Sequence, residues 1–139
     1  MQNDPYGEFQ LNRLCQLIGL KEFIIQHKCR QAAQCFGKPY RDKLILRTKH
    51  CTSVLVMKCV RYQTSSKICG GRLKRKVIIN INGIGDPRCP SLGCLITHEL
   101  AHFAGADEAD AEACENKCCK GKTTPPTAPK EQGGRCGCS

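Results

Sequence analysis

The stretch HELAHFAGADEAD, residues 98–110, decides how the chain is interpreted, because it opens with the pattern H-E-x-x-H. Residues four apart on a helix lie on one face, with Cβ atoms roughly 5–6 Å apart. His98 and His102 can therefore direct two imidazole nitrogens at one point, as a Zn²⁺ ion with Zn–N bonds of about 2.0–2.1 Å requires. Glu99 follows the first histidine, where its carboxylate can reach a water beside the metal without being a ligand itself. The pattern predicts zinc ligands at His98 and His102 and a general base at Glu99.

Apolar residues recur at helical spacing around this motif and predict an amphipathic helix with one buried face. They are Leu92, Leu95, Ile96, Leu100 and Phe103. Gly105 is expected to end the helix, because the residue after a helix often adopts the left-handed conformation. A pair of histidines satisfied within the core, with no metal, is the alternative interpretation of the same helix.

The third ligand is expected after the turn at Gly105, because a catalytic zinc site has three protein ligands and an open fourth position. This stretch resembles two peptidase families. Metzincins carry HExxHxxGxxH, with Asp in last place in the snapalysin group, and aspzincins, the deuterolysin-like peptidases, carry HExxH followed by GTxDxxYG. Both alignments place the third ligand at Glu108, although Ala106 stands where aspzincins have Thr and the Tyr-Gly is absent. The resemblance implies a zinc metallopeptidase with ligands His98, His102 and Glu108.

Other acidic residues close to Glu108 remain alternatives if the turn is wider. Glu112 ranks second and Asp110 third as the metal ligand. Asp107 is expected instead to cap the N-terminus of the next helix, since aspartate is a preferred N-cap residue. For stabilising the oxyanion, Tyr40 and Tyr62 are candidates by residue type alone.

Cysteine is far more frequent than in an ordinary chain, with 13 in 139 residues. No CxxC pair is repeated at zinc-ribbon spacing, so disulfides are the favoured use, in an oxidising destination such as a periplasm or the extracellular space. The odd count leaves at least one thiol free or paired between molecules. A disulfide is expected for Cys94, to Cys89 or to the next helix, and Cys136 and Cys138 are either tied by a disulfide or free.

Net charge is +10, and the basic residues are concentrated in the first part of the chain. Residues 1–85 hold 16 Lys and Arg against 4 Asp and Glu, whereas residues 86–139 hold 6 against 8. A basic surface can meet nucleic acid, an anionic envelope or an acidic partner, but a solvated face is the favoured interpretation. The run RLKRK at 72–76 contains no aromatic residue, which argues against a stacking platform for single strands. No nucleic-acid partner is therefore favoured.

The N-terminal residues are polar, and they resemble a known junction. They contain no apolar h-region of a signal peptide, and no stretch of the chain approaches the roughly 18 apolar residues of a membrane span. Residues 4–7, DPYG, resemble the D-P-x-G that closes the core of Rhs-type proteins just before their variable C-terminal toxin domains, although the same run is ordinary turn chemistry. The resemblance implies a toxin that is secreted or delivered to a target cell, with a cognate immunity protein in its producer.

A small α+β domain is predicted, zincin-like by the resemblance, with helices packed on a short sheet and disulfides linking them. The expected divisions are a junction at 1–8, a metallopeptidase domain at 9–120 and a flexible, cysteine-containing tail at 121–139. Besides the motif helix, hydrophobic periodicity predicts helices at 8–20, 21–36 and 107–119, strands at 43–48, 54–62 and 77–82, a turn region at 63–71 and a loop at 83–92.

The favoured function is a zinc-dependent endopeptidase that hydrolyses peptide bonds of a protein target, as an Rhs-type antibacterial effector. Zinc would polarise the scissile carbonyl, and Glu99 would take a proton from the attacking water and pass it to the leaving amine. Two other classes stay open. A disulfide-rich secreted binding or inhibitor module explains the cysteines but not HExxH, and a basic nucleic-acid-targeting effector explains the charge of the first half but not the zinc ligands.

Overall fold

Four helices and three short strands form the part of the chain that the computed structural model describes, which is residues 18–53, 56–60, 69–73, 76–80, 86–124 and 134–137. In chain order they are α1 (Ile18–Cys35), α2 (Lys38–Thr48), β1 (Val56–Val60), β2 (Gly70–Leu73), β3 (Lys76–Asn80), α3 (Leu92–Phe103) and α4 (Glu108–Cys118). No helix among these residues combines the length and the apolar character that crossing a membrane requires.

Helix α1 is continuous across the point where the sequence predicted a boundary between two helices, at 20 and 21. Residues 1–17, which include the predicted junction at 1–8 and most of the first predicted helix, lie outside the described residues. Ile24, Ile25, Cys29 and Ala32 are buried on α1 at helical spacing. The helix predicted at 21–36 is therefore confirmed.

The prediction of a strand at 43–48 is wrong, because these residues form the second half of α2. Pro39 lies in the first turn of α2, where its fixed φ and missing N–H suit a helix. Leu44 and Thr48, four residues apart, are buried, whereas Leu46 is 78% exposed. In a strand Leu44 and Leu46 would share a face, so the apolar run that suggested a strand is divided here between the core and solvent.

The three strands form one sheet in the order β1-β3-β2. β1 runs parallel to β3, with Val56 opposite Lys76, and β2 runs antiparallel to β3, with Gly70 opposite Ile79. β1 and β3 confirm the strands predicted at 54–62 and 77–82 over their described residues. The turn region predicted at 63–71 is wrong at its C-terminal end, because pairing with β3 makes a strand of a Gly-Gly-Arg sequence that has little β propensity of its own.

Helix α3 lies at the centre of the core. Each of its residues except His102 is buried, and it packs against α1, α2 and most extensively α4. Burial on nearly all sides explains why α3 is the most apolar of the described helices, since a helix that is hydrophobic all round needs neighbours on all faces. The HExxH motif is therefore held on the most enclosed helix of the described part of the chain.

Five disulfides link ten cysteines of the described residues, which confirms the predicted use of cysteine. They join Cys29 to Cys51, Cys35 to Cys118, Cys69 to Cys89, Cys94 to Cys119 and Cys114 to Cys136. Cys94 thus pairs with Cys119, the last residue of the helix predicted at 107–119, which confirms the second of its two predicted partners and not Cys89. Cys136, in the predicted tail, is buried and bonded. Cys138 lies outside the described residues. This density of disulfides is typical of an oxidising, extracellular compartment. A small disulfide-linked domain is confirmed, and the zincin-like α+β class stays a prediction.

Candidate metal centre

A tight turn after α3 carries the chain back towards the two motif histidines. α3 ends at Phe103, and Gly105 adopts a φ of +99°, a left-handed value that favours glycine. Asp107 then caps α4, since its Oδ1 accepts a hydrogen bond of 2.8 Å from the Asp110 backbone N–H. The predicted helix break at Gly105 and the predicted N-cap at Asp107 are confirmed. The turn places Glu108 in the first turn of α4.

The structure brings His98, His102 and Glu108 together. Glu108 Oε1 lies 2.7 Å from His102 Nε2 and 3.2 Å from His98 Nε2. The potential ligand atoms of the three residues all lie within 4.8 Å of one another, and the two imidazole rings meet edge to face with centroids 4.9 Å apart. Two nitrogens and one oxygen therefore lie close together, the nitrogens as the spacing of the motif predicted and the oxygen at the residue that the family resemblance indicated.

The other nitrogen of each imidazole ring is tied to an acceptor, which fixes how the ring is turned. His98 Nδ1 lies 2.7 Å from Glu115 Oε1, and His102 Nδ1 lies 2.9 Å from the carbonyl oxygen of Ala106. Because both partners can only accept, each Nδ1 carries the proton and donates it. Both Nε2 atoms lie at hydrogen-bond distance from Glu108 Oε1, and a ring that gives up its Nε2 proton while it keeps the one at Nδ1 presents the lone pair of Nε2, which is the form that ligates a metal.

The surroundings of His98 favour a positive charge on this ring. Burial by itself lowers its pKa, but the hydrogen bond to Glu115 and the negative charges of Glu108, Glu115 and Glu99 outweigh burial and raise the pKa of His98 to about 9. For the Glu108 carboxyl, burial by itself raises the pKa. The charge of His98 and the hydrogen bonds from His102 and His98 outweigh burial and lower the pKa of Glu108. The carboxylates thus stabilise a cation at this point, whether a proton on the ring or a divalent metal ion.

These residues fit a zinc ion on chemical grounds. Two imidazole nitrogens and one carboxylate oxygen are a donor set that catalytic zinc sites use. In such sites the non-ligating nitrogen of each histidine usually donates a hydrogen bond to an acceptor that orients the ring. Here the Glu115 carboxylate is that acceptor for His98, and the Ala106 carbonyl is that acceptor for His102. His102 is half-buried and the side chain of Glu108 is 57% exposed, so the point of convergence is open on the Glu108 side.

Glu99 is buried on α3 beside the first ligand. Its negative charge acts on the His98 ring, and it does not belong to the three-residue ligand group found among the described residues. The role of Glu99 as general base stays a prediction.

The geometry favours Glu108 over the two alternative third ligands. Both carboxylate oxygens of Asp110 are engaged elsewhere, because Oδ2 accepts a hydrogen bond from the Tyr40 hydroxyl and Oδ1 accepts one of 2.8 Å from the Arg135 backbone N–H. Glu112 is half-buried on α4, and the ligand group found among the described residues includes neither it nor Asp110. The Tyr40 hydroxyl, proposed for the oxyanion, donates to Asp110, and Tyr62 lies outside the described residues.

Sequence reasoning missed Glu115, which is the most enclosed acidic side chain of the site. Its relative exposure is 0%, and its carboxylate accepts from His98 Nδ1, from Thr124 Oγ1 at 2.8 Å and from the Thr124 backbone N–H. One signal was present, since Glu115 follows Glu108 by seven residues, or two turns, and therefore shares its helix face.

Comparison of the chain with protein families, with curated proteins and with solved structures finds no match in any of the three. The case for a metal centre therefore rests on the residues of this chain and their geometry.

Proposed function

We propose that the protein is a zinc-dependent endopeptidase of the HExxH type, on a zincin-like α+β domain. The observation that carries the proposal is the convergence of His98 Nε2, His102 Nε2 and Glu108 Oε1 within 4.8 Å, with both Nδ1 atoms held by acceptors. A disulfide-rich binding module is the second candidate, because the five disulfides favour it. Such a module does not require these three ligand atoms to lie together.

Within this proposal each residue has a distinct task. His98, His102 and Glu108 would hold the zinc ion, which supplies Lewis-acid polarisation of the scissile carbonyl. Glu99 takes a proton from the attacking water and delivers it to the leaving amine, a role for which it needs to be near the ion but not bound to it. The exposed Glu108 side is the approach left to a peptide substrate, because α1, α2 and α4 cover the other faces of α3.

The biological setting is a proposal on different grounds. The DPYG run that resembles the end of an Rhs core lies outside the described residues, and the five disulfides favour an oxidising destination. Both features fit an endopeptidase effector that is secreted or delivered to a competing cell. It would act on a protein target there, and an immunity protein would neutralise it in the producer.

Metal content tests the zinc site directly. Protein purified with its disulfides intact is analysed for metals as wild type, as His98→Ala and as His50→Asn, a control in which an exposed histidine at a φ of 59° is replaced by a residue that tolerates that conformation. We expect about one zinc per chain in wild type and in the control, and none in His98→Ala. Wild-type protein that takes up no zinc would refute the proposal and favour the binding module.

Peptide hydrolysis tests the role of Glu99. We expect Glu99→Gln to keep its zinc and its fold but to lose activity on unstructured peptides by about 10²–10⁴-fold, because an amide cannot accept the proton of the water. Glu22→Gln, which neutralises an exposed acid on α1, is the charge-matched control and should remain active. Activity of Glu99→Gln close to that of the control would remove Glu99 from the role of base.

A further inference from the structure

Glu115 is a fully buried carboxylate whose contacts lead to the metal centre. A buried carboxylate is costly unless hydrogen bonds satisfy it. Here His98 Nδ1 at 2.7 Å and Thr124 Oγ1 at 2.8 Å both donate to Oε1, and the Thr124 backbone N–H donates to Oε2. The two residues that satisfy Glu115 lie on opposite sides of it in the chain, one on α3 and one in the segment after α4.

The segment 119–124 is anchored at the beginning of α3 independently of Glu115. Cys119 is bonded to Cys94, one helical turn before His98. Further along, the Lys122 carbonyl accepts hydrogen bonds from the Ser91 backbone N–H at 2.9 Å and from Ser91 Oγ at 3.3 Å. These anchors fix the position from which Thr124 donates, so Thr124 holds the Glu115 carboxylate in one orientation against the His98 ring.

Resting on the proposed zinc site, we infer that Glu115 is the positioning residue of His98. Its carboxylate holds one proton of the imidazole at Nδ1, so that Nε2, on the side of Glu108 and His102, is the nitrogen available to a metal, and its negative charge makes that nitrogen a stronger donor to a metal. Thr124 acts one step further back, by keeping both oxygens of Glu115 in place. Neither residue touches the metal point itself.

Replacement of Glu115 by glutamine preserves the volume of the side chain but cannot preserve its three contacts. If the amide NH₂ faces the Thr124 backbone N–H, two donors oppose each other. If the NH₂ faces His98 instead, Nδ1 has to become an acceptor, and the proton moves to Nε2, where it blocks ligation. The substitution also removes the negative charge in either orientation, so Glu115→Gln should weaken the metal site.

Zinc affinity by competition with a chromophoric chelator tests this inference, on the full chain with its disulfides intact. We expect Glu115→Gln to bind one zinc about 10–100-fold more weakly than wild type, as for other partners of ligating histidines. Thr124→Val should weaken binding by less than about tenfold, because the Thr124 backbone N–H remains. Thr123→Val, at the neighbouring half-buried threonine, is the matched control and should bind as wild type does.

A second measurement reports on the ring and not on stability. In protein labelled with ¹⁵N-histidine, the His98 Nδ1 proton should be protected from exchange and visible by NMR in wild type and in Thr123→Val. It should be shifted or lost in Glu115→Gln.

The outcomes separate this inference from the proposed function. Wild type without zinc affinity refutes the zinc site itself. Wild type that binds zinc, together with a Glu115→Gln protein of equal affinity and unchanged Nδ1 signal, overturns the role of Glu115 alone. If Glu115→Gln does not fold, Thr124→Val decides, and affinity equal to that of Thr123→Val would overturn the inference.

Discussion

Removal of the Glu108 carboxylate should weaken metal binding far more than it lowers stability. Glu108 Oε1 is the atom that both Nε2 atoms approach, at 2.7 Å and 3.2 Å, yet its side chain is 57% exposed. Contacts of a side chain this exposed contribute modestly to the fold, so Glu108→Ala should remove a ligand at a smaller cost in stability than in metal affinity.

The size of the effect follows from the number of ligands. Zinc bound by four protein ligands is held with about 10–16 kcal/mol, so one ligand contributes roughly 2.5–4 kcal/mol, or about 10²–10³-fold in the dissociation constant. In the metal-free protein, Glu108→Ala removes a favourable acidic residue from the first turn of α4 and the contacts of the half-exposed Glu108 Oε1 with His98 and His102, which together are worth about 1–2 kcal/mol.

Asp107→Ala should show the opposite pattern. Asp107 caps α4 by accepting from the Asp110 backbone N–H and does not belong to the ligand group. Its loss should therefore lower the free energy of unfolding by about 1 kcal/mol while zinc affinity changes little. Glu112→Ala and Asp110→Ala, the alternative ligands, should also keep most of their zinc affinity.

Two measurements on wild type and the four alanine variants check this. One is zinc affinity by chelator competition, and the other is urea unfolding in the presence of excess chelator. We expect Glu108→Ala to lose mainly zinc affinity, and Asp107→Ala to lose stability while it keeps its zinc affinity. Zinc binding by Glu108→Ala equal to that of wild type, with loss of binding in Glu112→Ala or Asp110→Ala, would show that the third ligand has been assigned to the wrong residue.

Two further predictions concern stability and ionisation. Replacing Cys35 and Cys118 by serine opens a loop with a sequence separation of 83. The free energy of unfolding in denaturant should fall by up to about 4.5 kcal/mol, and by less where other disulfides already shorten the loop. A loss below about 1 kcal/mol would contradict this prediction. The pKa of Tyr40 is raised from 10.0 to about 12 by burial, by the hydrogen bond to Asp110 and by nearby acidic charge. The contribution of the protonated Tyr40 hydroxyl to stability is therefore present below pH 10 and lost as the pH rises through about 12. Phenolate absorbance should show one tyrosine titrating near pH 12, absent in Tyr40→Phe.

The elements around the HExxH motif were predictable because their signals are local. Helical periodicity, a glycine at the end of the helix and an aspartate at the start of the next one each act within a few residues. The structure accordingly has the break at Gly105, with a φ of +99°, and the N-cap at Asp107. A turn defined by local chemistry is also what returns Glu108 to the histidines.

Elements that depend on distant contacts were not predictable in this way. The run 43–48 has an apolar cluster that suits a strand, and the packing of Leu44 and Thr48 into the core, one helical turn apart, supports the helix that Pro39 begins. β2 begins with two glycines and forms because β3 offers a partner. In both cases tertiary contacts outweigh the propensity of the segment itself.

Glu115 shows the same limit within the site. Its place on the face of Glu108 follows from a spacing of seven residues, but its contact with His98 depends on how α4 packs against α3. The partner that satisfies its second oxygen, Thr124, lies beyond the end of α4 in a segment with no regular structure. No periodicity in the sequence connects these three residues, so only the folded chain shows them as one network.

The distribution of disulfides suggests what they do for the site. Three of the five have one cysteine on α4 or directly after it, at Cys114, Cys118 and Cys119, and these positions lie on both sides of Glu115. A domain of this size buries a modest core, and here that core also has to accommodate the charged Glu115. Covalent links restrict the unfolded chain and hold α4 against its neighbours without adding apolar area. We therefore interpret the cysteines around α4 as the means by which a small domain keeps Glu108 and Glu115 in register with His98.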